Sequence, residues 1–270
     1  MKKLFLAGLL SVSLFGAAVS QAQDLNLKAA IAGKHRSAEN AARDSARHPY
    51  ETLSFFGIKS NMTVVELVPE GGWYTEILAP YLREHGKLIG AGDSLKVEKP
   101  SRYALMFKQK LDSNPAVYDK VEIGVFESPK HFDFAPAGSV DMVLTFRNVH
   151  NWLDGGEQGM ASTFKAIHTS LKSGGILGVV DHRRPVGMAQ DDNPKTQNGY
   201  LHQAYVIRVA EAAGFKLAGT AEINANPKDK ADHKNGVWSL PPTFAGGEKD
   251  KAKYAAIGES DRMTLKFVKP

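Results

Sequence analysis

The sequence predicts an α/β fold on a mainly parallel sheet, and three observations predict it. Short apolar runs recur between Met62 and Asp181, separated by stretches with helical spacing, the alternation that βαβ units require. The first run ends in an acidic residue and continues into a glycine pair and an amphipathic stretch, VVELVPEGGWYTEILAPYL over 64–82. A strand, a tight turn and a helix in that order bring backbone N–H groups and a helix N-terminus to the edge where open α/β sheets bind ligands. The chain has 270 residues, of which 43% are hydrophobic and 23% charged, enough to bury a substantial core.

Taken in order, residues 1–23 read MKKLFLAGLLSVSLFGAAVSQAQ. Two lysines, an apolar run shorter than a membrane span and the small-x-Ala site Ser20-Gln21-Ala22 form the pattern of a cleavable Sec-type secretory signal. The expected mature chain starts at Gln23, is periplasmic or secreted, and has no stable membrane insertion after cleavage. Residues 23–61 read as a helical extension beside the main domain, which runs from 62 to 270. Strands are predicted at 62–68, 87–92, 119–126, 140–146 and 174–181, with helices over 72–86, around 101–111 and over 156–171. The last third gives a helix at YVIRVAEAAG, a strand at FKLAGTAEI, a polar, loop-rich insertion over about 224–260 and a final strand at RMTLKFVKP. The last two strands suggest an antiparallel hairpin closing a sheet edge, with the insertion lying over the ligand side.

Composition excludes several classes of chemistry. With no cysteine in the chain, disulfides, thiolate metal sites, lipid-anchoring cysteines and cysteine nucleophiles are ruled out. Loss of Lys2 and Lys3 with the signal lowers the formal net charge of +5 to +3. The remaining basic residues are scattered among acidic ones, which does not make a nucleic-acid stripe. The nine histidines form no i, i+4 pair and no His-x-Glu unit, so no metal site is predicted.

In the loop after the first strand, Glu66 ends an apolar run, Gly71 and Gly72 permit close approach, and Thr75 lies in the first helical turn. Taken alone, this pattern also fits a purely structural turn. With FRNVHNWLD (146–154), LKSGG (171–175) and GVVDH (178–182) following in order, the chain resembles the class I S-adenosylmethionine-dependent methyltransferases. It is most similar to an exported branch whose first motif runs E-x-x-P-x-G-G-W-Y-T-E-I-L. The resemblance implies a Rossmann-like, seven-stranded, mostly parallel sheet with helices on both faces and S-adenosylmethionine as cofactor. The implied cofactor-binding residues are Glu66, Val68, Glu70, Gly71, Gly72, Trp73, Thr75, Asp93 and Asn148. The chain departs from the family at Val68 and Glu70, where the first motif has glycines, and at Gly92, with the acid of the second strand falling one place later on Asp93.

Methyl transfer to a hydroxyl or amine needs in-line positioning and a proton acceptor rather than a nucleophilic side chain. His150 and Asp181, after two successive predicted strands, and His202, after DDNPKTQNGYLH, are the candidate catalytic residues. An imidazole titrates near working pH, but His150 and Trp152 also fit, and more readily, the packing of the next helix. Asp181 and His182 are strand neighbours expected on opposite faces and so not as one dyad. Two readings stay open: methyl transfer to a small-molecule acceptor, or a non-catalytic periplasmic binding protein on the same scaffold.

Overall fold

The computed structural model describes residues 25–189 and 198–270. The expected signal segment and residues 190–197, within the stretch before His202, lie outside them. Eight strands form one mixed sheet: β1 Thr63–Leu67, β2 Lys87–Gly92, β3 Glu122–Glu127, β4 His131–Asp133, β5 Val140–Phe146, β6 Leu171–His182, β7 Lys216–Ala221 and β8 Arg262–Val268. The principal helices are α1 Pro49–Phe56, α2 Thr75–Leu82, α3 Arg102–Asp112, α4 Gly156–Ser170, α5 Gln203–Ala212 and α6 Glu248–Ile257.

The strand order is β4-β3-β2-β1-β5-β6-β8-β7. Pairings from β3 through β6 are parallel, while β8 runs antiparallel to both β6 and β7. The expected seven strands are therefore present with an eighth. β4 is a three-residue edge strand that pairs antiparallel with β3, Phe126 opposite Phe132, and it is too short to leave a periodic signal. The predicted antiparallel pair closing a sheet edge is present in β7 and β8, and its connection is what differs from expectation. β8 inserts between β6 and β7, so β7 is the outer strand, and the loop-rich stretch before β8 contains α6.

The sheet is covered on both faces. Val65, Leu67 and Val143 pack with Met160 and Phe164 of α4 and Val206 of α5. Their neighbours Val64, Met142 and Leu144 pack on the other face with Leu53 and Phe56 of α1 and Ile77 and Leu78 of α2. This one-residue alternation is what a two-faced sheet demands of near-continuous apolar strands. Fully burying Leu53 or Phe56 contributes about 2 to 3 kcal/mol each, so the N-terminal helices are part of the core. Among the described residues no helix is long and apolar enough to cross a membrane. The chain reverses its direction of winding at β1, between β2 and β5. The crevice at such a switch point is where ligands sit in open α/β sheets.

Candidate functional site

The loop after β1 carries an alternating backbone pattern. Val68, Glu70 and Gly72 have φ of 48°, 49° and 72°. The turn thus requires the left-handed region at every second residue, and two of the three positions lack the glycine that adopts it without cost. Arg147, directly after β5, is also left-handed, at 57°. A strained non-glycine residue persists only where its surroundings over-determine it, and such residues concentrate at functional sites.

These strained residues border three connected spaces. An inner compartment of about 50 Å³ is lined by Glu66, Val68, Glu70, Trp73, Arg147 and Asn148, with Arg47 reaching in from the N-terminal helices. A crevice of about 20 Å³ over β2 is bounded by Asp93, Tyr103, Phe107 and Ile123. An outer compartment of about 460 Å³ lies among Arg102, Tyr103, Arg147, His150, His182 and Trp238. Glu70 borders all three spaces and Arg147 the inner and outer ones, so these two side chains form the partition.

Charge dominates the inner compartment. Burial raises the Glu66 carboxyl to about 7 despite hydrogen bonds from Thr75, whose hydroxyl donates to Oε2 at 2.6 Å. Arg47 is 3% exposed, and its ring-facing side lies 4.6 Å from the centroid of Trp73. Arg43, Arg47 and Arg262 converge at 2.7, 3.2 and 2.9 Å on Glu259, which lines the outer compartment. Burial alone would raise Glu259, but Arg47, Arg262, Arg43 and Arg147 overcome it and hold the carboxyl at about 2. Burial, followed by Arg147, pulls Arg47 well below the usual guanidinium value. Arg47 Nη2 and Asn148 Nδ2 are buried without a hydrogen-bond partner. Orphaned buried donors are costly, and here two of them belong to residues that line one small space.

The outer compartment is built on imidazoles. The 3₁₀ turn Val149–Gly155 after β5 carries His150 over the end of β6. There Asp181 Oδ2 accepts the His150 backbone N–H at 2.8 Å, and Oδ1 lies 3.0 Å from His150 Nδ1. With Asp181 ionised, Nδ1 bears the proton and Nε2 is the acceptor. His182 Nδ1 meets the Ser260 hydroxyl at 2.6 Å, and the two imidazole centroids are 5.1 Å apart. Burial, then His150, Arg147, Arg262 and Arg47, hold His182 well below its ordinary value.

The side chains of Asp181 and His182 make no hydrogen bond to each other, since the His182 ring goes to Ser260 and the Asp181 carboxyl to His150. Asp181 Oδ1 accepts the His182 backbone N–H at 2.9 Å, and one ligand-type atom from each of His150, Asp181 and His182 falls within 4.8 Å of the others. Side-chain alternation holds within the strand, but the turn after β5 folds back over the strand end.

The other predicted residues are distributed as follows. Glu66, Val68, Glu70, Trp73 and Asn148 line the inner compartment, and Asp93 lines the crevice. Thr75 is buried behind Glu66. Gly71 and Gly72 face α3: a Cβ on Gly72 would stand 2.8 Å from Lys110 Cγ, and one on Gly71 3.6 Å from Met106 Sδ. His202 is not brought to His150; its Nε2 lies 2.7 Å from the Met188 carbonyl oxygen, and it borders a separate cavity with Arg183 and Arg208. Sequence reasoning missed Arg47, Arg102, Arg147 and Trp238. Arg147 had a usable signal in its position just past a buried strand. Arg47 and Trp238 had none, because only tertiary packing brings their segments to the cleft.

No protein-family model matches the chain, and no curated protein matches it. Solved structures do. The chain is similar to a SAM-dependent methyltransferase from Aquifex aeolicus, with TM-score 0.57 and 15% identity over 85% of this chain and 93% of that one. It is similar to the cyclase SpnF, with TM-score 0.55 and 15% identity over 94% and 95%. An arsenic(III) S-adenosylmethionine methyltransferase from Chlamydomonas reinhardtii aligns with TM-score 0.51 and 14% identity over 90% and 73%. At such identities the likeness establishes the fold, which is the Rossmann-like fold of SAM-dependent methyltransferases. The presence of a cyclase among these neighbours shows that the fold alone does not select the reaction.

Proposed function

We propose that the protein is an S-adenosylmethionine-dependent methyltransferase acting on a small-molecule acceptor, and that its mature form, beginning near Gln23, works in the periplasm or outside the cell. The observation that carries this reading is the inner compartment. It pairs orphaned donors on Arg47 and Asn148 with a buried carboxyl on Glu66, a donor set and an acceptor fitted to the carboxylate and ammonium of an amino-acid moiety. Asp93 at the end of β2 fits a pair of ribose hydroxyls, and Tyr103, Phe107 and Ile123 supply apolar walls for a flat base. When bound, the cofactor supplies an electrophilic methyl group on a sulfonium.

The chain's own residues then do the rest. Asp181 fixes the His150 ring so that Nε2 can accept a proton from an acceptor hydroxyl or amine in the outer compartment. Trp238 closes the compartment on the side of the loop before α6, its ring edge-on to His150 at 6.2 Å between centroids, which limits water around that imidazole. Calorimetric titration with S-adenosylmethionine and S-adenosylhomocysteine tests the reading. Saturable binding of both, lost in Arg47→Gln at unchanged secondary structure, supports it. Absence of binding to the folded wild type overturns it. A wild type that binds the cofactor but never turns it over with any acceptor supports the binding-protein reading instead.

A further inference from the structure

We infer that the outer compartment takes an aromatic anion, a carboxylate carried on a planar ring, and that Arg147 recognises its charge. The inference rests on the methyltransferase reading in identifying this anion as the methyl acceptor; the anion site itself follows from the side chains in the cleft.

Five arginines, Arg43, Arg47, Arg102, Arg147 and Arg262, stand around the joined compartments. The opposing carboxylates are Glu259, Glu70, Glu66 and Asp181, the last accepting hydrogen bonds from His150 and the His182 backbone. Glu259 is engaged by Arg43, Arg47 and Arg262. Glu66 is buried and holds its proton to about neutrality. Glu70 sits on the partition and faces both spaces, so it is the one carboxylate an incoming anion would meet. Among the described residues the Arg147 guanidinium has no hydrogen bond or ion pair, while its backbone N–H donates to the Val180 carbonyl and its backbone is held in the left-handed region. An uncompensated guanidinium in a partly desolvated cleft attracts an anion far more strongly than one on an open surface.

The proposed cofactor does not restore the balance. With one carboxylate, one ammonium and one sulfonium it carries a net positive charge, so its entry adds to the excess. A negatively charged acceptor beside Arg147 offsets both. The alternative occupant of a cationic outer cleft, a divalent metal at His150, Asp181 and His182, meets the same field with the opposite sign. Arg147, Arg262 and Arg47 all act on His182. Both Asp181 oxygens are already accepting hydrogen bonds from backbone and imidazole. Shape narrows the class further. Tyr103 and Trp238 both line the space and leave 46% and 37% of their surfaces exposed, and Pro241 and Pro242 line it as well. Flat apolar walls of this kind hold a planar ring by stacking.

The test uses three acid and amide pairs as probes: benzoate and benzamide, 4-hydroxybenzoate and 4-hydroxybenzamide, 3,4-dihydroxybenzoate and its amide. Each is titrated into the mature protein by calorimetry at low and high salt. The wild type is expected to prefer the acid at least tenfold in one or more pairs, with the preference shrinking as salt rises. Arg147→Gln, checked by its thermal melt, should abolish the preference. Arg102→Gln, on the exposed helix α3, should reduce it and serves where Arg147→Gln fails to fold. Equal binding of acid and amide in every pair, no binding of any acid, or a preference that survives in the folded arginine variants overturns the inference. Titration with S-adenosylhomocysteine alone keeps the two readings apart. Acid preference without nucleoside binding upholds the anion site and removes the methyltransferase; nucleoside binding without acid preference does the reverse.

Discussion

The inner and outer compartments meet at Glu70 and Arg147, yet they hold their ligand-facing groups by different means. In the inner one, charged groups are buried: Glu66 has only hydrogen bonds from Thr75 to offset its desolvation, and Arg47 reaches its counter-charge at Glu259, which lines the outer one and also gathers Arg43 and Arg262. In the outer one, imidazoles are oriented by hydrogen bonds to Asp181 and Ser260, beside half-exposed aromatic walls. The difference teaches that the inner compartment stores electrostatic cost that a ligand can relieve, whereas the outer one is already satisfied and selects by shape and residual charge. Mutations should therefore act mainly on stability in the first and mainly on turnover in the second.

The largest effect belongs to Glu259→Gln, at the pair that ties Arg47 of the inner compartment to the wall of the outer one. Removing the shared carboxylate leaves Arg47 and Arg262 buried without a counter-charge, which should cost about 3 to 5 kcal/mol in urea unfolding. A loss below 1 kcal/mol, on the order of a surface pair, would show that the cluster is not held by charge.

Glu66→Gln sharpens the contrast through pH. The folded carboxyl titrates near 7, against an ordinary 4.5. The folded state therefore binds the proton more tightly, and stability falls as pH rises from 4.5 to 7 by on the order of 3 kcal/mol. The glutamine variant should lack that fall and exceed the wild type in stability at pH 8. His182 acts with the opposite sign: its folded value is depressed, so it removes stability as pH drops below 6.5. Thermal melts of wild type, Glu66→Gln and His182→Asn across pH 4 to 9 separate the two limbs. An unchanged alkaline limb in Glu66→Gln would mean that water or another group compensates the carboxyl.

His150→Gln tests the outer compartment. With a methyl acceptor in hand, it should lower kcat about a hundredfold while leaving urea stability within about 1 kcal/mol. A stability loss larger than the activity loss would return His150 to a packing role.

The smallest effects belong to the strained loop. Glu70→Gly removes a left-handed non-glycine residue and should stabilise the fold by about 1 kcal/mol. Val68→Gly should gain less, because the Val68 side chain packs against the core and its loss offsets the relief. Parallel denaturation curves check the order, and a destabilised Glu70→Gly would show that its carboxylate makes a contact worth more than the strain.

Much of this architecture was legible in the sequence for local reasons. Strand and helix order, the ligand edge and the loop after β1 follow from periodicity and from Glu66 and Gly72, whose roles are set within a few residues of chain. His150 and Asp181 were legible as candidates because each sits at the C-terminal end of a buried strand, His150 in the turn after β5 and Asp181 in the last residues of β6. β4 escaped because three residues carry no period, and α6 because its apolar content is slight: Tyr254 is its one buried residue.

The sequence by itself determined the α/β class and which strand ends would carry polar residues, since both depend on short-range pattern. Only the tertiary structure decided that Arg47, from the N-terminal helices, and Glu259, from the far end of the chain, stand within 3.2 Å of each other beside the loop after β1. It likewise joined His150 to Asp181, turned Gly71 and Gly72 toward α3, and kept His202 in another cavity. The physical reason is that charge pairing and desolvation act through space. They join residues more than two hundred positions apart, and no window of sequence records which of them will share a low-dielectric pocket.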